Sequence, residues 1–235
     1  MEIKPIAHIQ SDFPEKFGIP RQSGIVETTA KIIFEPEYRV RDAVRGLDGY
    51  SHLWILWQFS KALRKSWSPT VHPPRLGGNK TMGVFATRSP YRPNPIGLSS
   101  VRLLRLEHSS ELGPVLYISG ADLMDATPIY DIKPYLPYTD SHPDAVGGFA
   151  DEFVDYSLEV VFPDKLICEI HEANRKAVIG VLSQDPRPSY QNDPDRIYGT
   201  AFAGKNILFK VENRTLTVCG VEDYEDYIRR KKELR

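Results

Sequence analysis

Proline spacing restricts this chain more than any other single feature. There are 19 prolines in 235 residues, and Pro5, Pro14, Pro20, Pro36 and those that follow interrupt its first two thirds. Proline lacks a backbone N–H and collides with the preceding helical turn, so long helices are disfavoured there. Between the prolines lie short apolar runs, Leu53-Trp-Ile-Leu-Trp-Gln-Phe, Met82-Gly-Val-Phe-Ala-Thr and Val115-Leu-Tyr-Ile-Ser, each aromatic or β-branched and bounded by turn formers. Such runs predict strands. A short helix over Arg39 to Leu47, ended by Gly46 and Gly49, is the main exception. Many strands without regular intervening helices predict a mainly β protein built on a closed or nearly closed antiparallel barrel.

The pattern changes near Ser141-His-Pro-Asp-Ala-Val-Gly-Gly-Phe, which reads as a linker. Two units follow: a β-barrel over residues 1–145 and a small α+β domain over residues 146–235. In the second, Val154, Tyr156, Leu158, Val160 and Phe162 alternate as in a half-buried strand. Ile167, Ile170, Asn174, Ala177, Val178 and Val181 then recur at helical spacing, predicting one helix from Asp164 to about Gln184. Strands over Asn206 to Val211 and Leu216 to Val221 flank the turn Glu212-Asn-Arg-Thr, and the charged end Arg229-Arg-Lys-Lys-Glu-Leu-Arg is expected to be solvated.

Several chemistries lose their usual supports. No two glycines are separated by a single residue, so the G-x-G of a Rossmann dinucleotide site is absent. Walker A, H-E-x-x-H and G-x-S-x-G motifs are missing as well. The six histidines are dispersed and do not predict a metal site. Cys168 and Cys219 lie far apart in patterned apolar segments and read as reduced core residues. The first residues have no apolar signal region and no stretch approaches the roughly 18 apolar residues of a membrane span, so the expectation is a cytoplasmic protein.

Charge is distributed unevenly in a chain whose net charge is only -1. From Gly49 to Arg105 there is no Asp or Glu, although the average density of acids would place about seven there. The same window carries Lys61, Arg64, Lys65, Arg75, Lys80, Arg88, Arg92, Arg102 and Arg105. Such a basic stretch fits an anionic partner. Inside it, Arg88 and Arg92 stand four apart in a loop stiffened by Pro90, Pro93 and Pro95, a setting suited to phosphate or carboxylate capture. Arg21 and Gln22, after Pro20, offer a second set of fork-like donors. Asp122 and Asp125 follow the strand ending at Ser119 and could accept ribose hydroxyls or pair with a cation. Tyr130, Tyr135, Tyr138, Trp54 and Trp57 are candidates to stack a base.

Taken in order, Pro20-Arg-Gln, Tyr50-Ser-His-Leu-Trp-Ile-Leu-Trp, Pro74-Arg-Leu-Gly-Gly-Asn, Met82-Gly-Val-Phe-Ala-Thr-Arg-Ser, Arg92-Pro-Asn-Pro-Ile-Gly, Asp122-Leu-Met-Asp, Asp131-Ile-Lys-Pro-Tyr-Leu-Pro and Asp185-Pro-Arg-Pro resemble the TsaA-like, TrmO-type tRNA methyltransferases. The resemblance implies a single-sheet barrel of about eight strands, usually a homodimer. It also implies S-adenosylmethionine as cofactor, tRNA as partner, and methylation of N6 of threonylcarbamoyladenosine at position 37, beside the anticodon. Carried over by position, it assigns Pro20, Arg21, Gln22, Arg88, Leu98, Asp122, Leu123, Met124 and Asp125 to the cofactor. Ser60 and Lys61 fall where some relatives have His-Gln. Asp125, Tyr91 and Asn94 are the candidates for a general base, and Arg92, Arg75, Lys80, Lys133 and Arg187 for contacts to the tRNA. Two other readings share these residues: a non-enzymatic RNA-binding barrel, and a methyltransferase of the same fold with another acceptor.

Overall fold

The structure, a computed structural model, describes residues 2–62, 66–76, 80–187 and 193–233. Arg64, Lys65, the stretch Gly77-Gly-Asn, Pro188 and the side chain of Arg75 lie outside the described residues. Strands β1 (Ala7–Gln10), β2 (Thr29–Phe34), β3 (His52–Gln58), β4 (Thr70–Val71), β5 (Met82–Gly83), β6 (Ile96–Ser109), β7 (Gly113–Ser119) and β8 (Pro128–Pro134) come first. Helix α1 (Pro137–Asp140), strand β9 (Glu159–Val161), helices α2 (Asp164–Ile167) and α3 (Glu172–Ser183), strands β10 (Tyr198–Phe202), β11 (Lys205–Glu212) and β12 (Thr215–Asp223), and helix α4 (Tyr224–Glu233) complete the chain. No helix among the described residues is long and apolar enough to cross a membrane.

Six antiparallel strands close a barrel in the order β1-β2-β7-β6-β3-β8, with β1 pairing back onto β8. The number falls short of eight because β4 and β5 pair only with each other and the strands from β9 onward form a separate sheet. Closure depends on the long strand β6. Its first half, Ile96 to Arg102, pairs with β3, and its second half, Arg102 to Ser109, pairs with β7 across a bulge between Leu103 and Arg105. A bulge at that point bends and twists the strand, which is how a small sheet curls shut. Side chains alternate as a half-buried strand requires: Leu53, Ile55 and Trp57 of β3 and Val101 and Leu103 of β6 enter the barrel core with Ile9, Ile32, Leu116, Ile118 and Leu123.

Two expected elements are shorter than their patterns. Met82 begins a strand of only two residues, because the Thr87 N–H and hydroxyl both bond to the Val84 carbonyl and close a turn over Val84–Ala86. Residues 39–47 form separate 3-10 turns at Arg41–Val44 and Leu47–Gly49 in place of one helix, with Gly46 in the left-handed region at φ 82°.

The C-terminal sheet has the order β10-β11-β12-β9 and packs α3 on one face. The predicted strand over residues 153–162 narrows to β9, and Val154, in helical conformation, is exposed. The single helix expected from Asp164 divides into α2 and α3, since Ile170 turns into the core and His171 begins a new helix by accepting from the Ala173 N–H. Cys168 and Cys219 are free, as expected, but exposed. Cys219 lies on the outer face of β12 with Thr217, opposite the buried Leu216 and Val218, and Cys168 caps the open end of α2.

The two hydrophobic cores are tied together by residues 11–28. Phe13 and Val26 are buried in the C-terminal core, where the Phe13 ring packs 5.3 Å from that of Phe202. Ala203 N–H donates to the Asp12 carbonyl at 3.0 Å. Gly18, at φ 85°, approaches Thr200 so closely that a Cβ there would lie 2.2 Å from its hydroxyl oxygen. Only glycine fits both the conformation and the space.

Candidate cofactor site at one end of the barrel

Ser99 is a polar residue facing the barrel core, and it is almost fully buried. Its hydroxyl oxygen accepts from the Trp57 indole N–H at 2.9 Å and donates to an Asp122 carboxylate oxygen at 2.5 Å. The Trp57 ring reaches this point because its cross-strand partner is Gly97; a Cβ on Gly97 would stand 2.3 Å from the indole. Sequence reasoning missed Ser99 and Trp57 as supports of the site. The signal was a serine in register with buried apolar residues, which must find hydrogen-bond partners.

Asp122 sits largely out of solvent. Burial pushes its carboxyl above the usual aspartate range, while the Ser99 hydroxyl, the backbone N–H groups of Asp122 and Ser23, and the charge of Arg88 pull it back. A buried carboxylate held by donors on one side remains a strong acceptor for a cation or hydroxyl on the other. Arg88 Nη1 donates to Gln22 Oε1 at 2.6 Å, joining the Pro20-Arg-Gln turn to the basic loop. The turn is fixed from behind: Pro20 is buried, Gly24 N–H donates to the Gly120 carbonyl at 2.8 Å, and the Ser23 hydroxyl accepts from the Ser100 N–H. Arg21 is half-buried beside it. Thus the structure brings Gln22, Arg88 and Asp122 together, with Leu98 exposed on the same strand as Ser99.

Other predicted residues are placed elsewhere or differently employed. Leu123 is wholly buried in the barrel core, and Met124 starts a tight turn whose carbonyl accepts from Thr127. Asp125 faces the N-terminal segment: its carboxylate accepts from the Ser11 N–H at 3.0 Å, and its own N–H donates to the Phe13 carbonyl at 2.8 Å. Its negative charge, secondary to burial, also raises the carboxyl of Asp12. Arg92 uses Nη1 to hold the carbonyls of Thr87 at 2.7 Å and Val84 at 3.4 Å, so it braces its own loop. Tyr91 is half-buried and Asn94 exposed on that loop. Ser60 and Lys61 follow β3, with the Ser60 N–H bonded to the Gln58 carbonyl and Lys61 exposed. Lys80 is exposed, and Lys133 pairs with Asp131 at 2.9 Å on β8.

Arg187 lies in the C-terminal unit, where it grips Asp185 through Nε at 2.8 Å and Nη2 at 2.9 Å while Tyr156 donates to the same carboxylate. Of the aromatic residues expected to stack a base, Trp57 is in the core and Trp54 bonds to Asp140 beside Tyr135.

Comparisons with known proteins identify the family. The sequence matches the family model for the tRNA-methyltransferase O N-terminal domain over residues 8–141 and that for the TrmO C-terminal domain over residues 155–224. An Escherichia coli (strain K12) protein named tRNA (adenine(37)-N6)-methyltransferase is 38% identical over 231 residues, covering 94% of this chain and 97% of the relative. A Pseudomonas aeruginosa relative, 41% identical over 207 residues and covering 84% of this chain and 87% of its own length, has a name that specifies S-adenosylmethionine-dependent methyl transfer. The crystal structure of TrmO from P. aeruginosa superposes with a TM-score of 0.77 at 33% identity, covering 95% of this chain and 97% of that one. Fold and site therefore define an S-adenosylmethionine-dependent methyltransferase built on a β-barrel. The chain belongs to the tRNA-methyltransferase O family.

Proposed function

We propose that this methyltransferase modifies N6 of N6-threonylcarbamoyladenosine at position 37 of tRNA. The supporting observation is the meeting of Gln22, Arg88 and the buried Asp122, with Arg88 drawn from the stretch of sequence without acids from Gly49 to Arg105. Names of the relatives place their own acceptor at adenine 37.

The donor set fits S-adenosylmethionine. Its cationic and hydroxyl-bearing parts call for a carboxylate such as Asp122, its own carboxylate calls for N–H donors such as Arg21, Gln22 and Arg88, and Leu98 offers an apolar surface. When bound, S-adenosylmethionine supplies a methyl group already activated by the sulfonium charge. The residues of the chain then have to orient the acceptor nitrogen and exclude water. The acceptor is a carbamoylated nitrogen, so its proton is more acidic than that of an amine, and a base within hydrogen-bond reach assists its loss. Tyr91, on the loop that carries Arg88, is better situated to take that proton than Asp125, which is committed to the Ser11 turn, while Asn94 on the same loop offers a carbonyl that accepts a hydrogen bond without removing the proton.

Arg92 is the proposed partner of the threonyl carboxylate: a guanidinium has five N–H donors, and its contacts to Thr87 and Val84 fix the group through Nη1 alone. Residues 1–145 form the cofactor-binding and catalytic unit and residues 146–235 a small α+β domain, in a cytoplasmic homodimer. Arg75, Lys80, Lys133 and Arg187 complete the proposed tRNA contacts.

The deciding experiment is mass spectrometry of nucleosides from tRNA treated with purified protein and isotopically labelled donor. Labelled methyl on threonylcarbamoyladenosine is expected; label on another nucleoside, or none with the donor bound, would refute the acceptor. Raising ionic strength should weaken tRNA binding far more than S-adenosylmethionine binding, since only the former releases many counterions.

A further inference from the structure

Among the described residues of the basic window, the two most exposed large aromatic side chains are neighbours. Trp67 is 51% and Phe85 71% exposed, and their rings are stacked with centroids 6.3 Å apart and planes 30° apart. They stand at one end of the β4–β5 ribbon, which continues through the Val84 N–H to the Pro69 carbonyl at 2.9 Å. The turn over Val84–Ala86 sends Val84 inward, where it is 1% exposed, and Phe85 outward. Behind Phe85 lies Arg92, its guanidinium carbon 5.9 Å from the ring centroid and its Nη1 anchored on the same turn.

Two neighbouring aromatic rings in water are an uncompensated exposure unless something covers them. The chemistry around them specifies the cover. Arg92 borders the Phe85 ring, and the stretch of sequence that carries both rings has no acids, which together favour a polyanionic partner. A cation beside a flat aromatic surface matches the two parts of an unpaired nucleotide, its phosphate and the face of its base. An acidic protein segment would satisfy the charges but leave the rings bare.

We infer that Trp67 and Phe85 form a stacking platform for an unpaired base of the tRNA, beside the nucleotide that is methylated. The inference rests on the tRNA reading above and adds the residues that hold a neighbouring base. Stacking recognises a π-face without reading its edge, so the platform contributes affinity and placement across tRNA sequences.

The test uses the full chain and an anticodon stem-loop RNA. Wild type, Phe85→Ala, Phe85→Leu, Phe85→Tyr and Trp67→Ala are compared for RNA affinity by anisotropy, S-adenosylmethionine affinity by calorimetry, and oligomeric state by sedimentation. Stacking predicts about tenfold weaker RNA binding for both Phe85→Ala and Phe85→Leu, restoration by Phe85→Tyr, and a similar loss for Trp67→Ala, with cofactor affinity and oligomeric state unchanged. RNA affinity that survives Phe85→Leu, or a change of oligomeric state in Phe85→Ala, overturns the platform in favour of an apolar contact between copies of the chain. Wild type that binds RNA no better than any variant removes the platform alone. Wild type that binds S-adenosylmethionine but no RNA removes it together with the acceptor assignment.

Discussion

Asp122 and Asp125 leave the end of the same strand three positions apart, and their surroundings diverge completely. Asp122 is buried between the Ser99 hydroxyl and the charge of Arg88, on the side that gathers Gln22. Asp125 turns toward the N-terminal segment, where it accepts from Ser11 and helps hold Phe13 in the other core. Both lie in the short connection between β7 and β8, Asp122 in irregular chain and Asp125 in a turn. What separates the carboxylate proposed to bind the cofactor from the one that ties down the N-terminal segment is the set of donors that arrive from distant parts of the chain.

The largest effect should come from Asp122→Asn. Cofactor affinity should fall about a hundredfold by calorimetry, because the remaining donors lose the charge they were arranged around. Its melting temperature should rise or stay constant, since a carboxyl raised by burial destabilises the fold whenever it is ionised. That destabilisation is absent below the unfolded-state value and complete above the folded-state value. Cofactor binding runs the other way and weakens as pH falls through the raised value. An affinity within a few-fold of wild type would end the distinction between the two aspartates.

Next comes Ser99→Ala, which should weaken cofactor binding about tenfold. It removes a bond that favours the ionised form, so the pH at which binding is half lost should move upward, with Ser99→Thr restoring it. An unchanged pH profile would show that Ser99 only fills space. Asp125→Ala should instead lower the melting temperature by about 2–4 °C while leaving the dissociation constant for S-adenosylmethionine within about twofold of wild type. A large loss of cofactor affinity without loss of stability would place Asp125 in the site after all. The smallest effect is expected for Lys176→Ala. Its bond to Glu27, 2.7 Å long, joins α3 to residues 11–28, but both groups are exposed, and no measurable shift in melting temperature should follow.

The sequence made some of this comparison legible. Prolines and short aromatic runs separate a barrel from a doubly wound sheet. Alternation over Val154 to Phe162 predicted a longer strand than β9, because periodicity records which residues could share a face but not whether a partner strand is available. The helix from Asp164 kept its apolar positions but not its continuity, since Ile170 is buried through a bend that spacing does not reveal. Cys219 was readable in retrospect: it alternates with Leu216 and Val218 and so belongs to the outer face. The family resemblance implies that Asp125 contacts the cofactor with Asp122; its bonds to Ser11 and Phe13 depend on a segment more than a hundred residues away, which the motif does not include. Trp67 and Phe85 escaped notice because exposure of a large aromatic side chain is decided by tertiary packing.

The insertion of Phe13 and Val26 into the core formed by β10, β11, β12 and α3 gives the protein a particular order of assembly. During synthesis the N-terminus emerges first, so these two apolar side chains are made long before Phe202, Phe209 and Val218 exist to cover them. The nascent barrel therefore carries an incomplete loop at Pro20-Arg-Gln, with Gly18 waiting for Thr200. Local strand pairing can proceed early, whereas this contact of high sequence separation must come late. The turn at Pro20-Arg-Gln, on which the proposed cofactor site depends, reaches its final shape only after translation has passed the last strand of the second unit.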